Sequence, residues 1–317
     1  MGSKNATAVV VNVADAAVEE FARHVIRVAL RKVFRLLAQA TQRKSGDAEL
    51  THQLRTATRR ADAALRLLVD WLPRRRQVWM RKRLGVIREK AGAVRDLDVL
   101  IRRLPRFADQ LPLETLSWLQ EHAASCRTTA VRSLRRYGRS QPMETLQDHS
   151  RALRHRVRWR GDAKEPTLDE LGSPALGRLV ENYSAAFQAI DGDVEQCQQV
   201  QRCHKVRIVG RRLRYTLELL QDTLPTTLTE PVCERLSEFQ DTLGEVNDQT
   251  TALGHFREWL ADCDDEGCRT SLRKLINQEA GNAAERVAAI VAEVPRQAEQ
   301  MLNLLRELPT KPSGSEP

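Results

Sequence analysis

Aromatic side chains are scarce in this 317-residue chain, with five Trp, three Tyr and six Phe, 4% in all. Strands favour aromatic and β-branched residues, so the scarcity speaks against a β-rich core. Glycine (15) and proline (12) are too few for a low-complexity or disordered chain. No apolar run approaches the roughly 20 residues a helix needs to cross a bilayer. No Cys-x-x-Cys pair exists. The six cysteines, Cys126, Cys197, Cys203, Cys233, Cys263 and Cys268, are scattered. With no secretory signal in view they read as reduced thiols of a cytoplasmic protein. Cys203 and His204 are adjacent, yet nothing nearby completes a tetrahedral set, so neither a metal nor another cofactor is expected. Met1-Gly2-Ser3-Lys4-Asn5-Ala6 lacks the Ser or Thr that myristoylation wants at position six. The sequon Asn5-Ala6-Thr7 carries no weight without a secretory signal.

Leu, Ala, Arg, Glu and Gln dominate what is there, and these are helix formers. Apolar residues reach 41%, enough for a core. The net charge of +9 conceals a division. Residues 1–160 hold 34 Lys+Arg against 15 Asp+Glu, a net of +19; residues 161–317 hold 17 against 27, a net of −10. A segment this basic calls for an anionic partner or an acidic neighbour, and the second half supplies part of the latter.

Apolar residues recur at helical spacing along nearly the whole chain, so the expected fold is all-α. Helices are expected at Val18 to Ala40, Asp47 to Leu72, Pro73 to Leu104, Leu113 to Tyr137 and Met143 to Trp159. Pro73 takes the first helical position, and Gly138 stops the fourth helix. Four more follow at about 175–191, 195–223, 228–262 and 266–307. The domain reading is an N-terminal extension (1–14), a basic first bundle (15–160), a Gly/Pro-containing linker (161–174), a second bundle, acidic overall (175–308), and a flexible tail (309–317).

An internal repeat joins the two halves. His52-Gln-Leu-Arg55-Thr-Ala-Thr-Arg59-Arg60 returns 152 residues later as His204-Lys-Val-Arg207-Ile-Val-Gly-Arg211-Arg212. The same offset aligns Leu65, Asp70, Pro73, Gly92, Val94 and Asp96 with Leu217, Asp222, Pro225, Gly244, Val246 and Asp248. Shared leucines alone could reflect amphipathic helices. A shared His, three Arg, Pro, Gly and Asp in one register indicate two homologous halves.

The repeated residues share a helix face. His52, Arg55, Arg59 and Arg66 step by three, four and seven, and span about 21 Å at 1.5 Å per residue. His204, Lys205, Arg207, Arg211 and Arg214 do the same, with Lys205 beside the stripe. Leu54, Ala57, Leu65 and Leu68, and in the second copy Val206, Val209, Leu213, Leu217 and Leu220, form the core side. A rail of forked guanidinium donors suits a linear polyanion that engages several forks at once. Arg81, Arg88 and Arg95 recur every seven residues and add positive charge from the next helix, as does Arg83. In the second half Arg83 is matched by Arg235, but Arg88 and Arg95 by Gln240 and Asn247, so the first half is expected to supply more of the field. Asp96 and Asp248 read either as holders of a neighbouring Arg or His or as interhelical salt-bridge acids. Gly92 and Gly244 read as points of close helix approach.

The pattern His-x-x-Arg-x-x-x-Arg-Arg, followed by Gly92-Ala-Val-Arg-Asp96-Leu-Asp98-Val, resembles the conserved histidine α-helical domain, or CHAD, family. The second copy, Gly244-Glu-Val-Asn-Asp248, matches less fully, since Arg95 and Asp98 become Asn247 and Thr250. The resemblance spans roughly 15–305. It implies two pseudo-symmetric four-helix bundles around a basic central channel. It also implies non-catalytic binding of inorganic polyphosphate and, in some members, residence on polyphosphate granules with granule-associated proteins. The ligand face it implies comprises His52, Arg55, Arg59, Arg60, His204, Lys205, Arg207, Arg211 and Arg212. Helical spacing adds Arg81, Arg83, Arg88 and Arg214. Many members are fused to a triphosphate-tunnel barrel bearing Glu-x-Glu-x-Lys. That motif is missing here, so its activity does not carry over.

Three other chemistries compete. Polyphosphate hydrolysis would need clustered carboxylates for metal, and Asp96, Asp98 and Asp248 are few. Histidine phosphotransfer would use His52 or His204 as acceptor, but duplicated arginines favour holding a polyanion. Nucleic-acid binding is disfavoured because no aromatic interleaves with the rail to stack bases; Tyr215 is the nearest.

Overall fold

The computed structural model describes residues 18–42, 47–162, 165–190 and 196–308. The extension at 1–14 and the tail at 309–317 lie outside them. Ten α-helices and no strand occur among the described residues: α1 (Val18–Gln42), α2 (Ala48–Leu67), α3 (Arg74–Arg103), α4 (Leu113–Ser140), α5 (Met143–His155), α6 (Leu168–Leu171), α7 (Ser173–Gln188), α8 (Gln196–Leu219), α9 (Thr226–Trp259) and α10 (Glu266–Arg306). The fold is therefore all-α.

Local chemistry sets the helix ends. Asp47 caps α2 by accepting from the backbone N–H groups of Glu49 (3.0 Å) and Leu50 (3.2 Å). Asp265 caps α10 by accepting from Cys268 N at 2.6 Å. Pro73, Pro112, Pro142 and Pro225 are the residues just before α3, α4, α5 and α9. Pro73 thus sits one position outside its helix, not at its first residue. α2 stops at Leu67, and a 3-10 turn at Val69–Trp71 leads to Pro73.

Gly138 does not end α4, which continues to Ser140. A Cβ at Gly138 would run into Thr41 Cγ2 and come within 3.3 Å of Leu37 Cδ1. The glycine is there for close approach of α1 to α4. α5 ends at His155, because Val157 and Trp159 turn away to pack. Trp159 meets Trp71 at 4.6 Å between ring centroids, and Arg158 N donates to Trp71 O at 3.1 Å. The stretch from 161 to 174 contains a helical turn, α6, with Leu168 and Leu171 buried.

The repeat is visible in the packing. α3 begins at 74 and α9 at 226, again 152 apart. In the first half α1 packs on α2, α4 and α5, and α3 on α2, α4 and α5. In the second, α8 packs on α7, α9 and α10, and α10 also on α7 and α9. Across the halves the contacts join equivalent helices: α2 to α8, α3 to α9, α4 to α10.

The apolar cores do not divide at the linker. One runs through both halves, from Leu54, Leu65, Leu84 and Ile87 to Val206, Leu217, Leu236 and Leu305. The other lies at the far ends of the long helices, where Leu100, Leu104 and Leu119 meet Leu253, Phe256 and Leu272. Each leucine fully buried there contributes roughly 1.5–3 kcal/mol. Both cores draw on both halves, so α2 and α8 are held against each other and the polar faces beside them are fixed in position.

Candidate anion-binding cleft

A cleft of about 760 Å³ opens between α2 and α3 on one side and α7 and α8 on the other. Its walls carry eight arginines (Arg55, Arg59, Arg66, Arg88, Arg178, Arg207, Arg211 and Arg212) against three carboxylates, Asp62, Glu89 and Asp96. His204, Tyr215 and Asn247 also line it. The rails of α2 and α8 therefore share one cleft, because the apolar face of each helix is committed to the common core.

Burial and crowding by like charge mark the centre. Arg59 is pulled down to about 10 by burial, then by Arg55, with further lowering from Arg207 and Arg88. Arg211 is pulled down to about 9 by burial, then by Arg59, Arg207 and Arg55. Both stay protonated at neutral pH, so the repulsion is carried by the folded protein.

The repeated glycines have matching structural tasks, whereas of the two repeated aspartates Asp96 alone, among the described residues, is ion-paired to its rail arginine. Arg55 Nη1 donates to Asp96 Oδ1 at 3.0 Å across the α2–α3 packing. Arg207 is lowered by burial, while Asp248 and Asp96 pull it back up and Arg55 opposes. Its Nε is buried without a hydrogen-bond acceptor. A Cβ at Gly92 would stand 3.9 Å from Arg55 Nε, and one at Gly244 would stand 3.7 Å from Arg207 Nη2. These glycines leave a perch for the equivalent guanidinium. The sequence suggested close helix approach; the neighbour is an arginine side chain in both copies.

Seven of the thirteen sequence-expected residues line the cleft: Arg55, Arg59, Arg88, His204, Arg207, Arg211 and Arg212. The others stand around it. His52 is exposed overall, and its imidazole is lowered by partial burial, then Arg95, Arg55 and Arg59, with Glu49 opposing. His204 is lowered by burial, then Arg207 and Arg211, against a raising hydrogen bond with Asn247. Arg60 is exposed, paired with Glu218 at 2.9 Å and 5.8 Å above the Tyr215 ring. Arg81 donates to Asp62 at 2.8 Å and so holds a wall acid from behind. Lys205 lies in a shallow pocket beside the cleft that also includes His204 and Arg212. Arg214 donates to Ser237 at 2.9 Å, and Arg83 stands over Trp79 at 5.2 Å; neither is among the lining residues.

The structure adds residues that sequence reasoning did not place in the site. Arg178 comes from α7 and has no partner in the repeat. Asp62 accepts from both Arg66 (2.9 Å) and Arg81. Burial alone would raise its carboxyl, but these two hydrogen bonds outweigh that and hold it below the usual range. A signal for this pair did exist. The 152 offset sets Asp62 and Arg66 against Arg214 and Glu218, an ion pair with its signs exchanged. Asp98 is a buried structural acid that accepts from Arg127 Nε at 2.6 Å. Among the described residues no group of three or more His, Cys, Asp or Glu could hold a metal, and no helix is long and apolar enough to cross a membrane.

Comparison with known proteins agrees with the all-α fold. The sequence model of the CHAD domain family matches residues 25–257. The crystal structure of the CHAD domain from the plant Ricinus communis is similar, with a TM-score of 0.67 and 22% identity over 93% of each chain. PptA from Streptomyces chartreusis is similar with a TM-score of 0.65 and 18% identity, over 90% of this chain and all of that one. At these identities the two structures speak for the fold alone. No curated protein sequence matches the chain.

Proposed function

The chain belongs to the CHAD domain family, and from that premise we propose that it binds inorganic polyphosphate in the cleft between α2, α3, α7 and α8 without chemical turnover. On this reading the two halves are four-helix bundles, and the cleft is their shared basic channel. The observation that carries the reading is the pairing of rails. Arg55 and Arg59 from one half and Arg207 and Arg211 from the other face the same space, at a cost in mutual repulsion that a bound anion would relieve.

Linked phosphates fit this cleft in charge and shape. Each phosphate offers tetrahedrally placed oxygens, so neighbouring units of one chain accept forks from both walls. Each contact is weak in water, but several on one chain combine and release counterions. His52 and His204, lowered and so neutral at pH 7, stand at the head of the rails as hydrogen-bonding groups. Asp96 and Asp62 hold Arg55, Arg66 and Arg81 in place; they are too occupied with arginines to serve a metal. Residence on polyphosphate granules belongs to the same proposal, with the cleft as the anchor.

The test is a titration of labelled long-chain polyphosphate against the full chain at about 0.15 M salt, with free phosphate measured in parallel. Tight binding without release is expected. Sustained phosphate release in magnesium would make the protein an enzyme, acid-labile label on His52 or His204 a phosphotransfer protein, and equal affinity for single-stranded RNA a general polyanion binder.

A further inference from the structure

A second basic groove lies between α1 and α5 in the first half, apart from the cleft. It measures about 390 Å³. Arg27, Arg31 and Arg35 line it from α1, and Arg151 and Arg154 from α5, with Phe34 among the lining residues. On α1 the steps are four and four, so the three guanidinium groups form a row about 12 Å long. No residue of this groove lines the cleft.

These arginines are poorly neutralised. Of the five, Arg151 alone has an acidic partner among the described residues, Asp148 at 3.1 Å. Arg27 meets His24 Nδ1 at 3.2 Å, which offers no negative charge. Arg154 Nε is buried without an acceptor, and its guanidinium is lowered by burial, then by Arg27, Arg31 and Arg151. The second half does not reproduce the row. α7, in the place of α1, carries Arg178 as its one basic residue, whereas α1 carries Arg23, Arg27, Arg31, Lys32 and Arg35. A solvated helix face needs no facing arginines on a second helix, and this groove has them.

We propose that the α1–α5 groove is a second anion site that takes a short run of linked phosphates, independently of what fills the cleft. The two-walled layout selects the ligand class. A carboxylate presents its oxygens in one plane and satisfies one fork. A phosphate presents oxygens in several directions and accepts from α1 and α5 together. Phe34, Ala38 and Met143 border the groove.

The experiment is a calorimetric titration of the full chain with tripolyphosphate. Wild type is expected to show two classes of site. Arg27→Gln with Arg31→Gln and Arg35→Gln, all exposed on α1, should remove one class and leave the other. Arg59→Ala with Arg211→Ala should remove the other and leave the first. An unchanged two-site isotherm in the α1 variant overturns the proposal, as does loss of both classes in the cleft variant. Polyglutamate of equal charge that displaces tripolyphosphate from the groove with equal affinity also overturns it. Failure of the cleft variant to lose any binding would instead refute the cleft reading alone. An Arg154→Lys variant, which keeps charge but loses the fork, should weaken the groove site several-fold and so separates recognition from bulk charge.

Discussion

Arg55 and Arg207 hold equivalent places in the two halves, and their surroundings differ. Arg55 is ion-paired to Asp96, whereas Arg207 feels Asp248 and Asp96 without a hydrogen-bonded partner on its Nε. Around Arg55 stand Arg88 and Arg95; their counterparts are Gln240 and Asn247. Near Arg207 stands Tyr215, where the first half has Ala63; Glu218, where the first half has Arg66, is paired with Arg60 and Arg214. Three things are common to both halves: the arginine rail, the glycine beneath it, and the aspartate beside it. Field strength is what diverged, so recognition and attraction can be varied separately in this fold.

The largest effect should come from breaking what the halves share. Arg59→Met with Arg211→Met removes two charge-assisted hydrogen-bonding groups worth about 1.5–3 kcal/mol each, so affinity for polyphosphate should fall on the order of 100-fold or more. The same variant should melt at a higher temperature than wild type when free, because the repulsion between these two arginines is gone. Calorimetry and thermal melts read both. An unchanged affinity would break the comparison.

Gly92→Leu and Gly244→Leu should each push the equivalent guanidinium off its perch and weaken binding about tenfold, or about 1.4 kcal/mol. Gly92→Ala and Gly244→Ala are the controls, since a Cβ at 3.9 or 3.7 Å is an ordinary contact. Weakening in one half only would show that the two rails are not functional equivalents.

Asn247→Arg restores the first-half residue at the second-half position. It should strengthen binding about fivefold and steepen the salt dependence by about one unit. Equal affinity would mean that the divergence at this position carries no field.

The smallest effect concerns the histidines. His52 and His204 lie below the usual value of 6.5 in the folded protein, so the unfolded chain takes up protons first as pH falls. Free protein should therefore lose stability between pH 6.5 and the lowered native values, with the loss complete below them. Polyphosphate binding should strengthen over the same window, by about two- to threefold per histidine. His52→Ala and His204→Ala should each flatten that dependence.

Much of this was legible in the sequence, and the exceptions have physical reasons. The helices follow from apolar spacing, and Pro73 and Pro225 mark equivalent helix starts. Gly138 was not legible, because a glycine that ends a helix and one that admits a neighbouring helix look alike in one dimension. Arg178 was invisible for another reason: it reaches the cleft from α7, outside the repeated segment. Arg83 matches Arg235 in register, yet it faces Trp79, which shows that a shared residue type need not be a shared site. The exchanged pairs Asp62–Arg66 and Arg214–Glu218 were readable only by asking where charges swap sign. The cores that cross both halves were not readable at all, since amphipathic spacing says which face is buried but not against what.

If polyphosphate lies in one cleft and touches arginines of both halves, its affinity must depend on salt through both rails. The most direct test is the salt dependence of polyphosphate affinity for wild type and for the variant Arg55→Ala, Arg59→Ala, Arg207→Ala, Arg211→Ala. The expected slope is shallower by about one unit for each phosphate that no longer meets an arginine, with the two α2 substitutions and the two α8 substitutions each supplying a share. A slope unchanged from wild type, or a change confined to one half, would contradict binding in a shared cleft.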